Sequence, residues 1–345
     1  MTITTPRVRT TAPAELAPSS ALVVRDLRTS FTVAGRRVEV VRGVDLDLRP
    51  GRTLVLLGES GSGKSVTARS VLRLLGDAAH IEGQVLLGDT DLLALPAREM
   101  RSLLGRRLAL VPQDPAAALN PLRRVGAQIT EVLRYHRVVT DRRQAAGRAE
   151  ELLARVGIPN PSRVARSFAH EMSGGMRQRV AIALAIACEP DVIVADEPTT
   201  ALDVTVQAQI LDLFEELQDR LGTALLLVTH DVGVAERMAD EVAVMYAGRI
   251  VERGTVQQVL DRPGHPYTRA LMEAMPRPGR ARGTLASIPG HPPLPSALPS
   301  GCAFSPRCSH ALDVCRTREP ALLDIGGGQL SACVRTGELV GQVTR

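Results

Sequence analysis

The sequence predicts an α/β fold with a largely parallel sheet, and three observations carry that expectation. Short continuous apolar runs at residues 54–57, 108–111, 192–195 and 224–228 have the length and two-faced hydrophobicity of strands buried in a parallel sheet. Helical patterns lie between them, giving the strand–helix alternation of such folds. The first run ends at Gly58 and opens the stretch Gly58-Glu59-Ser60-Gly61-Ser62-Gly63-Lys64-Ser65, with a helix predicted over 65–75.

The elements around this core follow in order. Residues 22–48 alternate apolar and polar in three short segments (22–24, 38–41 and 44–48), which predict strands. Residues 115–172 carry amphipathic helical patterns at about 126–137 and 141–156 and read as a helical subdomain inserted into the sheet domain. Ten of the chain's 23 prolines fall between Pro263 and Pro306, a stretch expected to sustain neither regular helix nor central strand. The expected organisation is a flexible tail at 1–20, a main domain at 21–264 and a cysteine-bearing extension at 265–345.

Composition narrows the function. With 345 residues and 44% hydrophobic content, a sizeable buried core is expected. No apolar run approaches the roughly 20 residues needed to cross a bilayer, and the first 20 residues lack the apolar stretch of a secretory signal. The net charge of +5 is spread along the chain and aromatics are only 2%, so a nucleic-acid partner is not expected. A mildly basic surface suits anionic lipid at least as well. Of the 42 basic residues only Lys64 is a lysine, which suggests a site that accepts a compact ammonium and not a planar guanidinium.

Lys64 lies in the glycine-rich stretch, which fits the P-loop pattern in its required strand–loop–helix context. Glycines let backbone N–H groups wrap phosphate oxygens, and the following helix adds a favourable dipole. Lys64 is expected to reach the β- and γ-phosphates of ATP and the Ser65 hydroxyl to ligate Mg²⁺. The run 192–195 ends in two adjacent carboxylates at the crevice edge where α/β sheets bind ligands. Neighbouring side chains alternate sides, so Asp196 is assigned to Mg²⁺ and Glu197 to accepting a proton from attacking water.

Ser173-Gly174-Gly175-Met176-Arg177-Gln178-Arg179, before a predicted helix, resembles the signature motif of ABC ATPases. The resemblance implies a P-loop core of ABC type with an antiparallel β subdomain, and a head-to-tail ATPase dimer in which Ser173, Gly174 and Gly175 face the γ-phosphate held by the opposing subunit. In the same terms, Gln113 resembles the glutamine that touches Mg²⁺ and relays to the transporter. Asp203, in Ala201-Leu202-Asp203, resembles the D-loop acid, and His230 the switch histidine that contacts γ-phosphate. Phe31 takes the place of the aromatic that stacks on adenine, and a core role suits it equally. Gly58, Ser60, Gly61, Ser62, Gly63, Lys64, Ser65 and Val66 complete the implied nucleotide contacts.

Gln113-Asp114-Pro115 with Leu119-Asn120-Pro121, and Asp196-Glu197-Pro198-Thr199-Thr200, are similar to the ATPases of dipeptide/oligopeptide importers, D-type subunit. The tail agrees through His265-Pro266-Tyr267-Thr268 and Gly301-Cys302 to Arg307-Cys308. The resemblance implies an ATPase at the cytoplasmic face of the membrane, peripheral to two permease subunits, paired with a second, F-type ATPase and served by an extracytoplasmic binding protein. Nickel-chelate or other small-solute importers use similar motors; a soluble ABC ATPase acting on nucleic acid or ribosomes is the other alternative.

Cys188 sits alone in an apolar helical run and reads as a small buried hydrophobe. Cys302, Cys308, Cys315 and Cys333 follow a C-x₅-C-x₆-C-x₁₇-C spacing that lacks the C-x₂-C knuckle of common zinc sites. A [4Fe–4S] cluster, which the family resemblance implies, zinc, and metal-free thiols are the three readings, with a disulfide framework the weaker one.

Overall fold

The computed structural model describes residues 20–200, 202–274, 287–336 and 338. The expected N-terminal tail and Ala201 of the D-loop therefore lie outside the described residues, apart from position 20. The chain opens with β1 (Leu22–Val33) and β2 (Arg36–Leu48), crosses to β3 (Thr53–Leu57) and α1 (Lys64–Val71), then returns through β4 (Ala79–Leu87) and β5 (Thr90–Asp91). α2 (Ala97–Leu103) and β6 (Leu108–Val111) lead into α3 (Pro115–Ala118), α4 (Val125–Tyr135), α5 (Arg142–Arg155) and α6 (Pro161–Arg166). α7 (Gly174–Ala185), β7 (Val192–Asp196), α8 (Val204–Leu221), β8 (Ala224–Thr229), α9 (Val232–Met238), β9 (Glu241–Tyr246) and β10 (Arg249–Thr255) follow. The tail contributes α10 (Val256–Asp261), α11 (Pro266–Glu273), α12 (Asp313–Thr317), β11 (Leu323–Asp324) and β12 (Leu330–Ser331).

These elements form two sheets, an antiparallel one ordered β2-β1-β4-β5 and a larger one ordered β11-β12-β10-β9-β3-β8-β7-β6. β3, β7 and β8 are buried at every position, as expected for continuous apolar strands covered on both faces. The five strands β9-β3-β8-β7-β6 are mutually parallel. Their register pairs Leu57 with Thr229, Val228 with Asp196, and Ala195 with Val111, so four strand ends share one edge. That edge carries Gly58, His230, Glu197 and Gln113. One apolar cluster runs from β3 through the helical region to Phe304; the other fills the space between the two sheets.

Three local expectations are corrected. The three short segments before residue 48 are two long strands, because Gly43 (φ +77°) is absorbed as a bulge opposite Asp26 (φ +42°) and does not end β2. The helix after the P-loop stops at Val71, with Arg73 in the left-handed region (φ +52°). The proline-rich stretch does hold a regular helix, α11, since Pro266 stands in its first turn, where no N–H partner is needed.

The extension packs back onto the sheet. β12 pairs with β10 through Ser331 opposite Glu252 and Leu330 opposite Arg253. Glu252, fully buried, accepts hydrogen bonds from the Gly264 N–H (2.6 Å), the His265 N–H (2.9 Å) and Gln329 Nε2 (2.8 Å). The expected boundary at 264/265 thus falls inside a hydrogen-bonded joint. Three of the chain's seven Phe and Tyr residues gather beside it, with Tyr246 and Tyr267 rings 4.5 Å apart and Phe304 5.4 Å from each. Offset and edge contacts of this kind add to the area buried.

Candidate active site

The P-loop folds tightly because its glycines allow it. A Cβ at Gly58 would meet the Met245 carbonyl oxygen at 2.3 Å, and Gly63 has φ +106°. Lys64 is buried, and its Nζ donates to the carbonyls of Gly58 (2.8 Å) and Glu59 (2.9 Å). Burial lowers its pKa from the usual range, while Glu197, Asp196 and Glu59 pull the other way. The ammonium thus caps the mouth of the loop.

Ser65 Oγ donates to Asp196 Oδ1 at 2.7 Å. Asp196 is buried and its carboxyl is pushed upward, chiefly by burial, with the Ser65 bond opposing. Asp196 Oδ2 is buried without a hydrogen-bond partner, with Arg69 Nε 3.7 Å away, and Ser62 Oγ in the P-loop is likewise buried and unbonded. An orphaned carboxylate oxygen beside a serine hydroxyl is a hard-oxygen donor set, and it fits Mg²⁺.

Glu197 holds a left-handed backbone (φ +47°), uncommon for a non-glycine residue, with its N–H bonded to the Val228 carbonyl at 2.9 Å. Its Oε2 accepts from Gln113 Nε2 and from Thr200 Oγ1, both at 2.9 Å. Its Oε1 lies 3.4 Å from His230 Nδ1. The segments just past β6 and β8 and the turn after β7 are thereby tied to one carboxylate. Strain of about 1–3 kcal/mol held at such a position is a frequent mark of a functional residue.

A cleft of about 540 Å³ is lined by Val40, Glu59, Ser60, Lys64, Gln113, Glu197, His230 and Leu271 among others. Gly58, Gly61, Gly63, Ser65 and Val66 also line it. Two clefts of about 580 and 610 Å³ lie around the helical region, but neither contains the P-loop or the acid pair. Phe31, Ser62, Asp196, Ser173, Gly174, Gly175 and Asp203 do not line the P-loop cleft. Ser173 and Asp203 instead cap α7 and α8, accepting from the N–H groups of Met176 (3.3 Å) and Val206 (2.9 Å). Both are exposed. The predicted residues therefore divide into a gathered half-site and an outward-facing second set.

Comparison with known proteins identifies the chain. Residues 41–200 match the ABC transporter family, and residues 251–315 match the oligopeptide/dipeptide transporter C-terminal region. A Brucella melitensis protein named as a peptide import ATP-binding protein is 48% identical over 331 residues, covering 92% of this chain and 98% of that one. The chain belongs to the ABC transporter ATP-binding family. The Bacillus subtilis oligopeptide transport ATP-binding protein OppD is 45% identical, covering 88% of this ABC subunit and 86% of its own length. Among solved structures, the dimeric ATP-binding cassette MJ0796 bound to ADP and Pi superposes with a TM-score of 0.62 at 25% identity, covering 68% of this chain and 98% of that one. The cassette is thus an ATPase of the ABC class. Among the described residues, no helix is long and apolar enough to cross a membrane.

The four C-terminal cysteines are all described, and none forms a disulfide. Burial raises the thiols of Cys302 (to about 11), Cys308 and Cys333, and Cys302 also senses the charge of the other three cysteines. The sulfurs of Cys315 and Cys333 accept the N–H groups of Leu312 (3.5 Å) and Arg335 (3.4 Å). Among the described residues, no group of three or more His, Cys, Asp or Glu side chains is arranged to hold a metal ion. Cys188 is half-buried and its thiol is pushed up to about 11 by burial, in keeping with an inert small side chain.

Motif reading missed Thr200, Val40, Leu271 and the role of Glu59. Thr200 carried a signal, since a hydroxyl three residues past the acid pair can turn back onto it. The other three had none.

Proposed function

We propose that the chain is the ATP-hydrolysing subunit of an importer of di- or oligopeptides, working against two membrane permease subunits. The observation that carries the catalytic part is the Glu197 carboxylate, held by Gln113, Thr200 and His230 at the mouth of the P-loop cleft. The peptide cargo is supported by the C-terminal match and by the names of the relatives. Nickel-chelate and other small-solute cargoes stand as the alternatives.

ATP enters with its phosphates against the N–H groups of Gly58–Ser65 and the Lys64 ammonium. Ser65, Asp196 and Gln113 would hold Mg²⁺, which would supply neutralisation of phosphate charge. Glu197 takes the proton of the attacking water, and His230 orients on the γ-phosphate from the neighbouring strand end. Phe31 is the proposed adenine contact, supported by its pairing with Val38 on the strand whose Val40 lines the cleft. Ser173, Gly174, Gly175 and Asp203 complete the site of a second ATPase subunit, which is supported by their lying outside the cleft, with Ser173 and Asp203 exposed. Closure of the pair on ATP moves the helical region and, through Gln113, the permeases. We place the subunit peripherally at the cytoplasmic face of the membrane, with an extracytoplasmic binding protein delivering cargo.

Glu197→Gln should leave ATP binding intact and lower hydrolysis at least about 100-fold. Near-normal turnover in that variant assigns the proton transfer to another group.

The four C-terminal cysteines are the proposed ligands of a [4Fe–4S] cluster, with zinc the alternative. Support comes from the mutual reach of their thiols and from two backbone N–H groups directed at sulfur. As placed they do not form a ligand set, so the hydrolysis mechanism takes no step through them. Iron and zinc analysis of anaerobically purified protein, with Cys302→Ser beside it, tests this. Metal-free protein of unchanged stability in both removes the proposal.

A further inference from the structure

Glu59, the second residue of the P-loop, is held from three directions. Its carbonyl accepts the Lys64 ammonium at 2.9 Å, and its N–H donates to Tyr267 Oη at 2.8 Å. Its carboxylate takes two bonds from Arg307, Nη1 to Oε2 at 2.8 Å and Nη2 to Oε1 at 3.1 Å. Arg307 lies 248 positions further along, next to Cys308 in the extension. Its side chain is only 6% exposed and is fixed by further bonds from Nε to the Pro289 carbonyl (2.8 Å) and from Nη1 to Tyr246 Oη (3.3 Å). The guanidinium also stands 5.9 Å from the ring centres of Tyr246 and Phe304.

The geometry of Glu59 creates an electrostatic problem that Arg307 answers. Glu59 lines the cleft, and its charge is felt at Lys64. ATP brings several negative charges to the same loop. An unpaired carboxylate there repels the triphosphate, and the cleft screens it less than open water does. A bidentate guanidinium from behind cancels that charge while leaving the loop's N–H groups free for phosphate.

We propose that Arg307 is a positioning residue for ATP binding, through which the C-terminal extension sets nucleotide affinity by neutralising Glu59. The proposal rests on the ATPase reading of the P-loop cleft. The extension is then part of the nucleotide site and not only an appendage behind it. A second contact from the same extension works nearby: Glu319 pairs with Arg249 (2.7 Å), next to Gly248, and with Arg42 (2.9 Å) of β2, whose N–H donates to the Gly248 carbonyl, while the Gly248 N–H donates to the Ser62 carbonyl (both 2.8 Å).

The test is equilibrium binding of a fluorescent ATP analogue to the full-length chain, with steady-state hydrolysis measured beside it. Arg307→Gln should weaken nucleotide binding about tenfold, raising KM while kcat at saturating ATP changes by less than about twofold. Adding Glu59→Gln to that variant should restore affinity to within about threefold, because the charge left unpaired is removed. Arg307→Lys, which keeps the charge, should stay within about threefold and serves if Arg307→Gln does not fold. Unchanged affinity in Arg307→Gln overturns the proposal. So does a loss that Glu59→Gln fails to restore, or one that Arg307→Lys shares in full, since either marks a purely structural support. Failure of the unaltered chain to bind the analogue counts instead against the ATPase reading.

Discussion

The side chains facing the cleft and those bracing it from behind are satisfied in opposite ways. In front, His230 is 55% exposed and Glu197 sits on a left-handed backbone, while next to the lining residues Ser65, Gly61 and Gly63 the buried Asp196 Oδ2 and Ser62 Oγ have no hydrogen-bond partner. Behind, Glu252 is buried with three N–H donors on its carboxylate, and Arg307 spends both terminal nitrogens and Nε on oxygen acceptors. Unmade hydrogen bonds lie where a charged ligand can complete them, and completed ones lie where stiffness is needed. The imbalance marks the direction from which nucleotide arrives.

The rear joint should give the largest stability change. Glu252→Ala leaves the N–H groups of Gly264 and His265 and the Gln329 amide buried without their acceptor, and should cost about 3 kcal/mol or more by chemical denaturation. A cost below about 1 kcal/mol would mean that water replaces the carboxylate and that the joint is softer than the front. Glu197→Gln, by contrast, should be nearly neutral for stability while it removes hydrolysis. Comparable unfolding costs in the two variants would erase the contrast.

Acid should attack the same joint. His265 is buried, its Nδ1 accepts the Tyr267 N–H at 3.0 Å, and burial lowers its pKa from 6.5 to about 4. Between those values the unfolded chain binds a proton that the folded chain does not, so stability falls as pH drops from about 6.5 to about 4. The full loss is roughly 3 kcal/mol. Glu252, raised by burial, acts in the opposite sense and contributes stability that is lost as pH rises. His265→Asn keeps a capping oxygen and removes the titration, so the difference in stability between the two proteins should shrink on acidification through that window. Parallel pH profiles would show that another group controls acid unfolding.

The smallest effect belongs to the front. Thr200→Val removes one of the donors on Glu197 Oε2 and should slow hydrolysis about fivefold, near the 1 kcal/mol of a single hydrogen bond. A loss as large as that of Glu197→Gln would promote Thr200 from orienting the carboxylate to sharing its chemistry.

Much of the front was legible because a parallel sheet aligns the ends of its strands. Gly58, Gln113, Glu197 and His230 each follow an apolar run, and runs that pair in register must deliver their successors to one edge. The rear was not legible. Nothing in the residues around Arg307 points to Glu59, and a glutamate at position 252 of an alternating strand reads as solvent-facing until the Gly264 turn closes over it. The cap on α11 is an imidazole, outside the short polar side chains that usually announce a helix start. Gly43 shows the same limit at shorter range, because a glycine reads as a strand end whether it terminates pairing or bulges it.

The two-residue strands β11 and β12 have a consequence for solubility. β10 carries one row of its backbone hydrogen bonds to β9, and the extension covers part of its other side through Glu252 and Arg253. A chain ending at residue 264 would keep the whole P-loop edge yet expose that side as an open template for strand pairing between molecules. Such a fragment should self-associate, and the short strands of the complete chain offer little for a neighbour to extend.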